Sequence, residues 1–204
     1  MFETMKDTQF AKLVVFINAS VPATMIAWDA FGGASADPVG YALQRTGKFA
    51  LILLLLSLCV TPLRKLTGKN YFSHFRKMLG LFAFFYASLH LLIYFVFDRQ
   101  LNVSSLIEET LKRKFILFGM AALLMMVPLA LTSTNASIKR LGAARWKTLH
   151  KLAYLSAIAG VAHYWISVKK DIRQPLLFAI ALTILFAYRL YYSRPQPKRP
   201  VAAA

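Results

Sequence analysis

The clearest chemical signal in this sequence comes from its four histidines, His74, His90, His150 and His163. His90 lies in the run FAFFYASLHLLIYFVF (residues 82–97), in which every other residue except Ser88 is apolar or aromatic. An ionisable side chain in so apolar a segment needs a partner, and it hydrogen-bonds a neighbouring helix, relays protons or binds a metal. The positions of the other histidines favour metal binding.

His90 and His163 are predicted to lie at the same depth in a bundle of helices. The helix of His90 begins near Arg76 and Lys77, the helix of His163 begins near His150, and each histidine lies about 13 residues further along, roughly 20 Å. Two imidazoles at one depth on separate helices are what bis-histidine ligation of haem iron requires. We therefore expect a haem between these helices that carries single electrons.

A second group of polar residues is predicted near the start of the same two helices. Arg76 precedes His90 by about four helical turns and shares its face. His150 precedes His163 by 13 residues, which on an ideal helix places it about 140° off the face of His163. That spacing requires a kink, a tilt or an offset cofactor. The sequence leaves open a second haem ligated by His150, with His74 or Arg76 nearby. It also leaves open that His74 lies in a loop.

Six apolar segments predict an all-α integral membrane protein. Hydrophobic residues make up 58% of the 204 residues, and each segment has the length needed to cross a hydrocarbon core of about 30 Å as a helix. A six-helix bundle enclosing haem is therefore expected. An alternative treats the first segment as a signal peptide, but its leader is not basic, because Glu3 and Asp7 balance Lys6 and Lys12. The segments are Phe10–Trp28, Thr46–Pro62, Met78–Phe97, Phe115–Leu131, Leu149–Val168 and Pro175–Tyr192.

The charges of the chain predict its orientation in the membrane. The net charge is +17, and 16 of the 25 lysines and arginines fall in the termini and in the loops after the second and fourth segments. This bias predicts that both termini are cytoplasmic. The positive net charge of the chain is therefore explained by its membrane topology and by contact with lipid head groups, so no nucleic-acid partner is expected. The predicted divisions are a cytoplasmic tail at 1–9, a transmembrane domain at 10–192 and a disordered, proline-rich cytoplasmic tail at 193–204.

Several kinds of chemistry are excluded by missing residues. The single cysteine, Cys59, permits no internal disulfide and no metal site built from several cysteines. Neither GxGxxG nor GxxxxGK[ST] occurs, and no carboxylate lies in any predicted span. A bound group must therefore supply the chemistry. The loop at 98–114 contains a capping-box pattern, Ser105 to Glu108, which predicts a short helix on the membrane surface.

Five stretches, in this order, resemble the MsrQ family (also called YedZ), a branch of the ferric-reductase-like transmembrane group that includes the NADPH oxidases. The elements TPLR, YASLH and RWxxLH, followed by a histidine 13 residues on, are specific in combination. The stretches are TGKFALILLLLSLCVTPLRK (46–65), RKMLGLFAFFYASLHLLIY (76–94), the run from Lys112 through PLALTS (128–133), ARWKTLHKLAY (144–154) and HYWISVK (163–169).

The resemblance implies an electron-transfer subunit in the bacterial inner membrane. It implies haem b, with His90, His150 and His163 as the family's haem histidines, and one haem with a second left open. The implied acceptor is an MsrP-like periplasmic molybdopterin enzyme that reduces methionine sulfoxide. The implied donor is the quinone pool or a cytosolic flavin reductase. FMN is implied as a cofactor by the family alone, since no phosphate-binding motif is present, and His74 departs from the family pattern.

Three other functions are left open by the residues themselves. In a structural membrane anchor, the histidines would only hydrogen-bond neighbouring helices, and replacing them would lower stability without removing a cofactor. In a haem-free membrane transporter, the intramembrane histidines would carry protons or bind the substrate. In a haem-containing ferric reductase, only the electron acceptor would differ.

Overall fold

The computed structural model describes residues 2–33 and 35–193, with side chains in 9–33 and 35–192. No strand occurs in these two ranges, which confirms the all-α prediction. A 3₁₀ turn at Asn70–Phe72 precedes α3, and a π-helical turn at Tyr94–Asp98 follows it. The helices are α1 (Phe2–Phe31), α2 (Pro38–Thr67), α3 (Ser73–Ile93), α4 (Val103–Lys112), α5 (Lys114–Leu131), α6 (Asn135–Leu141), α7 (Ala143–Leu149), α8 (Leu152–Ser167) and α9 (Arg173–Ser193).

Five of the helical segments in the described ranges are long and apolar enough to cross a membrane. They correspond to the predicted spans one to four and six. The predicted fifth span contains α8, whose 16 residues are short for a hydrocarbon core of about 30 Å. A sixth span and the side of each terminus therefore stay predictions. The segments are Gln9–Phe31, Pro38–Thr67, Asn70–Asp98, Lys114–Leu131 and Arg173–Tyr192.

The structure describes the N-terminal boundary of the predicted membrane domain but little of the tail that follows its C-terminal boundary. Helix α1 begins at Phe2, before the start predicted at Phe10. Of the predicted C-terminal tail, residues 194–204 lie outside the described residues.

Local capping explains where two of the helices begin. The Asp37 carboxylate accepts a hydrogen bond from the Gly40 amide at 2.9 Å, and Pro38 follows it at the first helical position of α2. The short helix predicted in the loop at 98–114 is present as α4, but its cap is Asn102, which accepts from the Ser105 amide at 2.9 Å. The capping box predicted at Ser105 is therefore wrong, because Ser105 already lies in the first turn.

Two helix pairs form the centre of the fold, since α2 packs along α3 and α5 packs along α8. Tyr86 is fully buried, and its hydroxyl donates to the Ala19 carbonyl at 2.7 Å, which ties α3 to α1. Ser156 is also fully buried and donates to the Ala122 carbonyl at 2.9 Å, which ties α8 to α5. Large apolar side chains cover the outside of the bundle, as expected where a protein meets lipid. Examples are Phe16, Leu92, Leu124, Leu155 and Ile184.

Candidate functional site

A cavity of about 550 Å³, here called the outer cavity, lies among α2, α3, α5 and α8. His90 of α3 and His163 of α8 both line it. The structure thus brings together the two histidines that were predicted to share one depth. Most of the remaining wall is apolar and includes Leu43, Leu51, Leu54, Ala87, Leu91, Ile116, Leu123 and Met126.

The two imidazoles are spaced as ligands of a single metal would be. Their ring centroids lie 6.0 Å apart and their planes are 84° apart. A metal–imidazole bond is about 2 Å long, so two imidazoles that bind one metal from opposite sides have centroids about 6 Å apart. The centroid separation of the pair therefore matches that of two imidazoles on one metal ion.

Backbone carbonyls fix the orientation of both rings. His90 Nδ1 lies 2.9 Å from the Leu43 carbonyl oxygen, and His163 Nδ1 lies 2.6 Å from the Phe115 carbonyl oxygen. Thr46 Oγ1 lies 3.4 Å from His90 Nδ1 as well. A carbonyl accepts only from a protonated nitrogen, so each Nδ1 carries the proton and each Nε2 keeps its lone pair. Metal-binding histidines are oriented by the same kind of hydrogen bond.

A glycine packs against each of these rings. A Cβ added at Gly47 would lie 3.1 Å from His90 Nδ1, and one added at Gly119 would lie 2.8 Å from His163 Nδ1. Each glycine follows the carbonyl that accepts from its histidine by four residues, so the α2–α3 and α5–α8 pairs hold their histidines alike. Sequence reasoning missed both glycines; their place as small residues inside apolar spans was the available signal.

The two imidazoles are too few to complete a metal site, so they suit a metal whose other ligands belong to a cofactor. Within residues 9–33 and 35–192, no group of three or more His, Cys, Asp or Glu side chains could hold a metal ion. Two imidazoles and an apolar cavity of this size suit a haem, whose porphyrin supplies four nitrogens to the iron.

A smaller cavity of about 220 Å³, here called the inner cavity, contains the second predicted group. Arg76, Trp146 and His150 line it. The His150 ring stacks on Trp146 with centroids 3.9 Å apart, and its Nε2 lies 3.1 Å from Thr132 Oγ1. Trp146 Nε1 donates to the Thr132 carbonyl at 2.9 Å.

The helical segment that contains His150 and His163 is interrupted between the two residues. Helix α7 ends at Leu149 and α8 begins at Leu152, so the two histidines do not share one continuous helix. The 140° offset calculated for an ideal helix therefore does not apply to this pair.

His74 stands apart from the other three histidines. It is exposed at the start of α3, and its Nδ1 lies 3.0 Å from the Tyr71 carbonyl oxygen. It lines neither the outer nor the inner cavity. The structure thus brings Arg76, and not His74, to the cavity of His150.

Arg189 is a residue that sequence reasoning counted only as terminal charge. Its Nη2 donates to the Leu58 carbonyl at 2.7 Å, its Nη1 donates to the Tyr154 hydroxyl, and its guanidinium lies 4.6 Å from the Tyr154 ring centroid. These contacts join α9 to α2 and α8. The available signal was an arginine inside an apolar span.

Comparisons with known proteins agree on one group. Residues 46–161 match the family described as ferric reductase like transmembrane component. This range includes His90 and His150 and ends two residues before His163.

Three relatives share the printed name protein-methionine-sulfoxide reductase heme-binding subunit MsrQ. The protein of Ralstonia nicotianae is 39% identical over 193 residues, which are 92% of this chain and 88% of that protein. The protein of Xanthomonas euvesicatoria is 41% identical and covers 94% and 90% of the two chains. The protein of Deinococcus radiodurans is 45% identical and covers 86% and 87%.

Proposed function

The chain belongs to the MsrQ family of the ferric-reductase-like transmembrane group, and we propose that it is a haem-binding membrane subunit that passes electrons to a methionine sulfoxide reductase. The observation that carries this proposal is the His90–His163 pair, with ring centroids 6.0 Å apart in a cavity of about 550 Å³. The names of the relatives, which describe heme-binding subunits, support it.

In this proposal the chain's own residues hold and shield a haem b. His90 and His163 would hold the haem iron through their Nε2 atoms, because the Leu43 and Phe115 carbonyls keep the proton on Nδ1. Gly47 lets α2 lie directly against the ring of His90. The apolar part of the wall would shield the porphyrin from water. Haem supplies one-electron oxidation and reduction when it is bound.

The proposed topology has six spans, with α8 as the fifth and both termini in the cytoplasm of a bacterial inner membrane. The distribution of lysine and arginine supports it. In this topology α5 begins on the periplasmic side. Since Phe115, which holds His163, is the second residue of α5, the histidine pair lies near that side. A haem there is close to a periplasmic acceptor.

The proposed acceptor is an MsrP-like periplasmic molybdopterin subunit that reduces methionine sulfoxide, and the pathway serves the repair of oxidised periplasmic proteins. The proposed donor is the quinone pool or a cytosolic flavin reductase. FMN is proposed as a cofactor on the family resemblance alone.

A second haem would be ligated at the inner cavity by His150 with Arg76 nearby. The inner cavity is less than half the volume of the outer one, and His150 Nε2 lies within hydrogen-bond distance of Thr132. A second haem therefore requires this cavity to enlarge and His150 to leave Thr132. The geometry supports the outer cavity as the first site.

The proposed function is tested by which acceptor reoxidises the reduced haem. The purified full chain, reduced with dithionite and freed of excess reductant, is mixed with an MsrP-like subunit and methionine sulfoxide while the haem absorbance is followed. We expect reoxidation only when both are present. Reoxidation by ferric chelates alone would make the protein a ferric reductase, and a chain that binds no haem would favour transport.

A further inference from the structure

One cation in the wall of the outer cavity has no counter-charge. Lys48 of α2 lines this cavity, directly after the glycine that packs against His90. The other two cations of the wall are paired, Arg99 with Asp98 and Glu109 and Arg113 with Glu109. No carboxylate in the described part of the chain pairs with Lys48. A partly buried ammonium in an apolar wall is unfavourable without an anion beside it.

A tyrosine that lines the same cavity has a buried hydroxyl with no partner among the described residues. Tyr94 lies one helical turn after His90 and lines the outer cavity. Its hydroxyl oxygen is buried, and no described residue forms a hydrogen bond with it. Tyr164 lines the same cavity, but its hydroxyl donates to Gln174 Oε1 at 2.9 Å. Buried polar atoms are nearly always paired, so an unpaired hydroxyl on a residue that lines a cavity is a candidate partner for a ligand in that cavity.

We propose that Lys48 and Tyr94 bind the porphyrin carboxylates of the haem, and this proposal rests on the haem site described above. A haem b carries two propionates, which are ionised at neutral pH and take charge-assisted hydrogen bonds from a lysine or a phenol. Charge supports the assignment. A ferric porphyrin with two neutral imidazoles and two propionates has a net charge of −1, which the +1 of Lys48 balances. Arg99 is not needed, because Asp98 already pairs with it.

Haemin and its dimethyl ester separate carboxylate binding from binding of the porphyrin itself. The full chain, produced in haem-starved cells and solubilised in detergent, is titrated with each compound while the Soret absorbance is followed. We expect the wild type to bind haemin at least about tenfold more tightly than the ester, since one charge-assisted hydrogen bond contributes that much. Lys48→Met and Tyr94→Phe should each reduce this preference, and Lys48→Arg should retain it.

Tyr164→Phe is the matched control, because it removes a hydroxyl from the same cavity whose partner is Gln174. Its preference for haemin should equal that of the wild type. Tyr94→Phe keeps the aromatic ring, so it can test carboxylate binding even if Lys48→Met fails to fold.

The outcomes separate this inference from the function it rests on. A wild type that binds haemin and the ester equally overturns carboxylate binding by both residues and leaves the haem site standing. A Lys48→Met or a Tyr94→Phe variant with the wild-type preference overturns the role of that residue. A wild type that binds neither compound overturns both.

Discussion

The two imidazoles of the outer cavity owe their orientation to backbone groups and to the absence of side chains. A carbonyl of the facing helix accepts from each Nδ1, and a glycine four residues later gives each ring its space. Each feature depends on a single atom: one carbonyl oxygen that is present, or one Cβ that is missing. A small change at either glycine should therefore disturb a histidine without touching it chemically.

Gly119→Ala should displace His163, because the new Cβ would lie 2.8 Å from its Nδ1. We expect loss or weakening of the low-spin haem spectrum, with a milder effect from Gly47→Ala, where the distance is 3.1 Å. Gly80→Ala is the control, because its Cβ would meet nothing within 4 Å, and it should stabilise α3 by up to about 1 kcal/mol. An unchanged spectrum in Gly119→Ala would show that the ring does not need this space.

The sequence predicted the histidine pair but not what holds it. The depth of His90 and His163 follows from counting residues along two apolar segments, which is a property of sequence. The Leu43 and Phe115 carbonyls carry no signature, because every residue has one. Which carbonyl meets a histidine depends on how α2 rotates against α3, and rotation of this kind is set by packing.

At the scale of whole elements, the clearest surprise is the break between α7 and α8. It falls at His150 and Lys151, where neither proline nor glycine marks a helix end. The predicted fifth span ran through it as one segment. Stacking of His150 on Trp146 and the contact of its Nε2 with Thr132 are tertiary interactions, and no local pattern indicates them.

Arg189 couples three elements, so a change there should lower stability. In Arg189→Lys, a single ammonium replaces a fork that reaches both the Leu58 carbonyl and the Tyr154 hydroxyl. Loss of a hydrogen bond from a charged group costs about 1.5–3 kcal/mol, or several degrees in the unfolding midpoint. Thermal unfolding in detergent measures this. The control is Arg64→Lys, at an exposed position of α2, which should change little. Equal midpoints for the two variants would contradict the role of Arg189.

Helix α4 presents an apolar stripe that we expect to contact lipid. Val103, Ile107 and Leu111 are 58%, 57% and 74% exposed and follow one another at intervals of four residues. A tryptophan at Ile107 should therefore be quenched by brominated lipids in proteoliposomes in which the native tryptophans are replaced by phenylalanine. A tryptophan at Lys112, on the opposite face, should be quenched much less. Equal quenching would place α4 away from the membrane surface.

At the scale of the whole molecule, the centre of the fold is two similar helix pairs, α2–α3 and α5–α8, each of which contributes one histidine to the cavity between them. The all-α membrane fold followed from the lengths of the apolar segments, since these depend on composition. The likeness of the two pairs could not be predicted, because their sequences share only a glycine and a histidine in the relevant places. The charge distribution, by contrast, predicts an orientation that experiment can test.

Both termini should be found in the cytoplasm. A green fluorescent protein fused to the C-terminus should fluoresce, because this protein folds poorly when exported, and alkaline phosphatase at the same place should be inactive. The reverse result would contradict the proposed topology of six spans with both termini in the cytoplasm.

The central claim is that His90 and His163 bind one haem between them. The most direct measurement is a reduced-minus-oxidised absorption spectrum of the purified chain, with the haem-to-protein ratio from pyridine haemochrome. We predict a low-spin b-type signal that both His90→Ala and His163→Ala abolish and His74→Ala leaves intact. A His90→Ala protein that keeps a six-coordinate spectrum, or a wild type that stays colourless after haem supplementation, would contradict the account.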